Sequence, residues 1–157
     1  MTDFVQPFKN DPQLGNLSTP ISDSAIVRAF IGSLPAYRAG LSASRRGLEV
    51  GMAHGYFIYG PFAYFGPLRD TELGGLAGLF AAAALVVLLT LGLSLHGQTV
   101  TPLQSSSAVE APADLGTTAG WSEFASSFLV GGAGGVAFAY FLSNLEPFQK
   151  FIPLIWS

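Results

Sequence analysis

Two ionisable residues, Glu49 and His54, lie in or at the start of a long neutral stretch. Such groups are expensive in lipid and usually have a task there. They stand five positions apart, about 500° around an α-helix, so their side chains point roughly 140° apart. At that angle they do not share one ion; they make two separate single-ligand sites. A magnesium ion already held by the nitrogens of a chlorophyll ring needs only one axial ligand, and an imidazole nitrogen or a carboxylate oxygen can fill that place. Each residue also has a plainer reading. Glu49 can pair with Arg45, one helical turn earlier, or with Arg46, and spacing balances that pair against the ligand. His54 can hydrogen-bond a neighbouring helix, but its place on an otherwise apolar wall favours the ligand.

The remaining polar candidates are weaker. His96 ends the second neutral stretch, and two intramembrane histidines raise the alternative of a bis-His haem in a redox subunit, with a small transporter as a related alternative. Depth opposes the haem. His54 lies about 12 Å inside its helix, whereas His96 lies at the end of an antiparallel neighbour, where a polar residue at the headgroups is the better reading. The segment FGPLRDTE places Asp70, Glu72 and the carbonyls near Pro67 where a hard cation such as calcium could take oxygen ligands. An ordinary solvated turn fits that spacing better. No nucleophile–base pair, phosphate loop or dinucleotide fingerprint is present. The glycine run LVGGAGGVAF sits inside an apolar stretch rather than between a strand and a helix. The chain is read as non-catalytic.

Composition defines what must position these residues. Half of the residues are hydrophobic and 11% are charged, against about 25% charged in soluble domains. Glycine is frequent at 19 residues and Phe at 13, while Cys is absent, which excludes disulfides, Fe–S clusters and zinc–thiolate sites. No basic stripe is present for nucleic acid. These features predict an all-α membrane protein, a single membrane domain over 1–157, with three transmembrane helices at about 44–64, 73–95 and 122–144. Ser42 or Ser44 is placed to cap the first, and Pro61 falls near its end.

Residues 1–41 form the segment before the first span. Within it, Ser22 or Ser24 starts a short amphipathic helix ending before Pro35, with Ile26, Val27, Phe30, Ile31 and Leu34 on one face. That pattern suits a helix lying on the membrane surface or on a partner. Residues 97–120 read as a flexible, solvated loop, and the tail 146–157 as an interfacial segment. Lys9, Arg28, Arg38, Arg45 and Arg46 all precede the first span, which puts the N-terminus in the cytoplasm and the C-terminus on the opposite side. Gly47, Gly51 and Gly55 form GxxxGxxxG, and Gly74/Gly78 and Gly131/Gly135 form GxxxG. These ridges admit a close helix or a flat ring, with packing inside the chain as the simplest use. The N-terminus lacks the features of a secretory signal or a transit peptide.

Four segments carry a resemblance: DPQLGNLSTPISDS, LPAYRAGLSASRRGLEVGMAHGYFIYGPF, FGPLRDTE and WSEFASSFLVGGAGGVAFAYFL. They closely resemble photosystem I reaction centre subunit XI, the PsaL family, over nearly the whole chain except the polar loop. GNLSTP together with RxGLEVGMAHGY is the specific pair. The resemblance implies a non-catalytic, three-span subunit in the thylakoid membrane, with its C-terminus lumenal. It implies binding of chlorophyll a and contact with β-carotene, and contact with the large core subunits and small membrane and stromal subunits. It also implies contact between copies of the chain at the centre of a trimer. Glu49 and His54 correspond to chlorophyll magnesium ligands, and Pro67 (through its carbonyl) with Asp70 to a Ca2+ site near the trimer axis. The lack of transit-peptide features points to a cyanobacterium. The loop 97–120 departs from the family by being longer and richer in Ser and Pro, which bears on stromal contacts.

Overall fold

Hydroxyl side chains start the helices. Ser24, Ser42 and Thr117 accept backbone N–H groups of Val27, Arg45 and Gly120, satisfying donors that a helix N-terminus leaves open. The computed structural model describes residues 5–8, 11–15, 17–99 and 109–145. Among them are four α-helices: α1 (Ala25–Ser33), α2 (Ala43–Phe65), α3 (Gly74–Gln98) and α4 (Thr118–Ser143). Ahead of them, β1 (Gln6–Pro7) pairs antiparallel with β2 (Leu17–Ser18). Helix α1 occupies the place expected for the amphipathic segment. None of its residues is buried, and Ile26 and Phe30 are largely exposed.

Helices α2 and α4 run parallel, with backbones almost touching. Gly47, Gly51 and Gly55 meet Phe124, Phe128 and Gly132 in register, and a Cβ on any of the three would fall under 3.0 Å from backbone atoms of α4. Gly131 and Gly135 of α4 are equally tight against the backbone around Leu48 and Met52. The GxxxG ridges of α2 and α4 are thus used inside the chain, the simplest of their expected uses. Antiparallel α3 completes the bundle: Gly78 lies against Ala63, Gly132 against Val86, and Gly97 against Trp121. Tyr59, Val86, Phe124, Phe128 and Val136 fill the space between. At one end Tyr59 donates its hydroxyl hydrogen to Ser143 Oγ at 2.8 Å, and Ser143 donates to the Tyr140 carbonyl at 2.8 Å.

The outside of the bundle is apolar. Phe57, Phe80, Leu88, Leu91, Val130 and Phe141 are each more than half exposed, an apolar surface far beyond isolated exposed residues and suited to lipid. By length and composition, α3 and α4 can each cross a membrane. Helix α2 is long enough but falls short in apolar content, because Glu49, His54, its tyrosines and its glycines dilute it. It continues through Pro61, whose missing N–H leaves the Phe57 carbonyl without a helical donor. Gly60 ahead of it removes the Cβ that would crowd the proline ring.

The end of the bundle opposite the Tyr59–Ser143 contact is tied by a buried arginine. Arg46 is 4% exposed, and its Nη1 donates to the carbonyls of Pro35 (2.9 Å) and Ala36 (3.2 Å). Asp114 Oδ2 lies 4.0 Å from its Nε. The expectation of a flexible loop over 97–120 needs correction in its described part. Helix α3 extends through Gln98, α4 starts at Thr118, and a 3-10 turn at Ala113–Gly116 docks against the bundle. Leu115 is buried there, and its carbonyl accepts the Trp121 indole N–H at 2.6 Å. Residues 100–108 of that loop and the tail 146–157 lie outside the described residues.

The α2–α4 contact predicts a contrast between two glycines. Gly51→Val drives side-chain atoms into the Phe128 carbonyl and should cost on the order of 1–3 kcal/mol or more. Gly92→Ala, with open space around it, should leave stability unchanged or raised by about 0.5–1 kcal/mol. Thermal melting of the detergent-solubilised chain, followed by circular dichroism, checks both.

Candidate functional site

Because the glycine face of α2 is closed by α4, the costly residues of α2 lie on its flanks. His54 is exposed on the outer surface of the bundle. Its Nδ1 lies 2.8 Å from the carbonyl of Val50, one turn earlier on the same helix. A carbonyl only accepts, so Nδ1 carries the proton and donates. In the neutral ring, Nε2 then carries the lone pair. A backbone bond to one ring nitrogen is the usual device that fixes tautomer and ring orientation when the other nitrogen ligates a metal. The Phe128 ring supports the imidazole from α4, centroid to centroid 5.6 Å. The wall around it, Ala53, Phe57, Ile58 and Pro61, is apolar and concave. His54 therefore bonds within its own helix, not across to a neighbour, the plainer alternative read from sequence.

Glu49 lies across Ala53 from His54, at the edge of a second concavity of about 650 Å³ lined by Pro35, Met52, Tyr56, Gly134 and Phe138. Its carboxylate is paired, but with neither Arg45 nor Arg46. Arg38 Nη2 donates to Oε1 at 2.5 Å and to Oε2 at 2.6 Å. Both oxygens lean on one guanidinium nitrogen. A carboxylate has about four lone-pair sites, so acceptor capacity remains on a residue that lines the concavity. Arg38 is itself placed by the turn after α1: its N–H donates to the Leu34 carbonyl at 2.8 Å, and Gly40 takes φ 78°, letting the chain turn back into α2. The pair and the ligand, read as alternatives from sequence, are compatible on one residue. Helical spacing alone does not point to Arg38, which reaches Glu49 from the LPAYRAG turn before the helix.

The other candidates are not brought to these two. His96 is exposed and stacks edge-on against Trp121, centroids 4.7 Å apart. His54 sits beside Phe128, seven residues further along α4 than Trp121. That is about 10 Å along the helix, so the two histidines are not set to sandwich one iron. Pro67 and Asp70 are exposed in the turn between α2 and α3. Asp70 pairs with Arg69 at 3.2 Å. Among the described residues, no group of three or more His, Asp or Glu is placed to hold a metal ion.

Two separated, outward-facing single ligands on apolar walls can each hold a flat, apolar ring through one metal bond. Comparison of the whole sequence with known proteins gives a family. The family model described as Photosystem I reaction centre subunit XI matches residues 4–147. A photosystem I reaction center subunit XI from Picosynechococcus sp. is 58% identical over 139 residues, covering 87% of this chain and 91% of that protein. The one from Crocosphaera subtropica is 55% identical over 136 residues, covering 85% and 87%. The one from Cyanidioschyzon merolae is 48% identical over 145 residues, covering 92% and 99%.

Proposed function

This chain belongs to the photosystem I reaction centre subunit XI family, and from that premise we propose that it holds antenna pigments and joins copies of photosystem I. Membership makes it a non-catalytic subunit of photosystem I, associated with other subunits of that complex in the thylakoid membrane. The finer reading is that α2, α3 and α4 all cross the membrane. Helix α2 does so with its sides covered by α4, α3 and bound pigment. The N-terminus is then cytoplasmic or stromal and the C-terminus lumenal, as the clustering of Arg before α2 suggests.

The observation that carries the pigment reading is the His54 ring. Its Nδ1 donates to Val50, its Nε2 has no hydrogen-bond partner among the described residues, and it stands exposed on an apolar wall. His54 would hold one chlorophyll a through Nε2, and Glu49 a second through a carboxylate oxygen. Bound chlorophyll would supply light absorption and excitation transfer. The chain's own contribution is to orient the ligand, offer an apolar wall and exclude water. The exposed aromatic surface of the bundle, Phe57 and Phe80 included, suits β-carotene as well as lipid. Pro67 and Asp70 would contribute to a Ca2+ site together with ligands from another chain, since Asp70 is already paired to Arg69 and no group of three or more acidic or His side chains gathers there among the described residues.

His54→Leu should remove one chlorophyll per subunit while the subunit still assembles, read from a density map of the purified complex. Retention of that pigment with no other ligand in its place would refute the assignment. Deleting the chain should leave monomeric photosystem I on a sucrose gradient; intact trimers would refute the joining role.

A further inference from the structure

We propose that Arg38 is a positioning residue for pigment binding at Glu49: its guanidinium cancels the carboxylate's charge and fixes the face that the carboxylate presents. This rests on the reading of Glu49 as a magnesium ligand and goes beyond it. A chlorophyll is an uncharged ring, so a carboxylate ligand leaves an extra negative charge at an apolar wall. Charge in such surroundings is costly unless it is paired. His54 needs no such help, because imidazole ligates as a neutral group and takes its orientation from the Val50 carbonyl. Glu49 has no comparable bond to its own helix among the described contacts; both of its oxygens go to Arg38 Nη2.

The way Arg38 is held supports this role. It reaches Glu49 from the turn between α1 and α2, and that turn is clamped independently. Arg46 binds the carbonyls of Pro35 and Ala36, and the Arg38 N–H binds Leu34. The turn therefore does not need the Arg38–Glu49 pair as its only staple. Pro35 also lines the concavity beside Glu49, so the clamped turn forms one edge of the pigment wall and delivers the counter-charge to it. Each carboxylate oxygen accepts one bond from Arg38, so about half of the carboxylate's lone-pair sites stay open to a metal.

The test is made in assembled photosystem I, reading pigment density at each site and chlorophyll per complex, with the His54 pigment as an internal control for folding. Glu49→Leu should empty the Glu49 site. Arg38→Gln should also empty it, or cut its occupancy at least several-fold, while the His54 pigment stays. Arg38→Lys should restore most of the occupancy. The deciding variant is Glu49→His combined with Arg38→Gln. A neutral ligand has no charge to cancel, so pigment should return. An empty site in that double variant would mean that Arg38 merely shapes the wall, and would overturn the proposal. Full occupancy in Arg38→Gln alone would overturn it as well. Pigment retained in Glu49→Leu would instead refute the Glu49 ligand reading, and this proposal with it.

Discussion

The structure depends on one contact: the backbones of α2 and α4 meet at glycines from both helices. Gly47, Gly51 and Gly55 leave no room for even a methyl group against α4, and Gly131 and Gly135 return the same fit against α2. In lipid there is little hydrophobic drive between helices, so close van der Waals contact along such ridges must supply much of the cohesion. The contact also sets direction. With one face of α2 closed, Glu49 and His54 can only sit on its flanks, on either side of Ala53. A helix too polar to count as a span on composition alone is held against two apolar ones, and its polar groups are turned to places where bound molecules can cover them.

The two ligand candidates solve the same problem by different chemistry. His54 is neutral as a ligand and is oriented from within its own helix, through the Val50 carbonyl. Glu49 carries charge and is matched from outside the helix, by Arg38 on a turn that Arg46 clamps. Arg46 itself is nearly fully buried and reaches from α2 to two separate segments: the turn before α2 and the 3-10 turn before α4. Removing one partner from such a site is costly because the remaining polar groups stay buried. That end of the bundle is therefore organised by arginines, whereas the other end is closed by the Tyr59–Ser143–Tyr140 chain of hydrogen bonds.

Much of this was legible in the sequence. Helices α3 and α4 were plain from long neutral stretches. Helix α2 was bracketed by charges and marked by its GxxxGxxxG run. Glu49 and His54 stood out because ionisable groups in apolar stretches need a reason. What escaped were contacts between residues distant along the chain. Glu49 was matched with arginines on its own helix, but the turn at Gly40 brings Arg38 to it instead. The stretch before α4 read as solvated because Ser, Thr, Pro and Ala carry no periodic signal. Leu115 and Asp114 nevertheless find partners in Trp121 and Arg46. Composition describes a segment's average solvent; it does not register one buried leucine and one ion pair.

On the proposed reading, α2 carries two separate pigment ligands outward from a glycine-packed bundle. A side-chain-resolution density map of the intact photosystem I complex tests it most directly. The expected result is one macrocycle with its magnesium against His54 Nε2, and a second against the Glu49 carboxylate with Arg38 still bound to it. Lipid or protein packed against both residues, with no macrocycle at either, would contradict it.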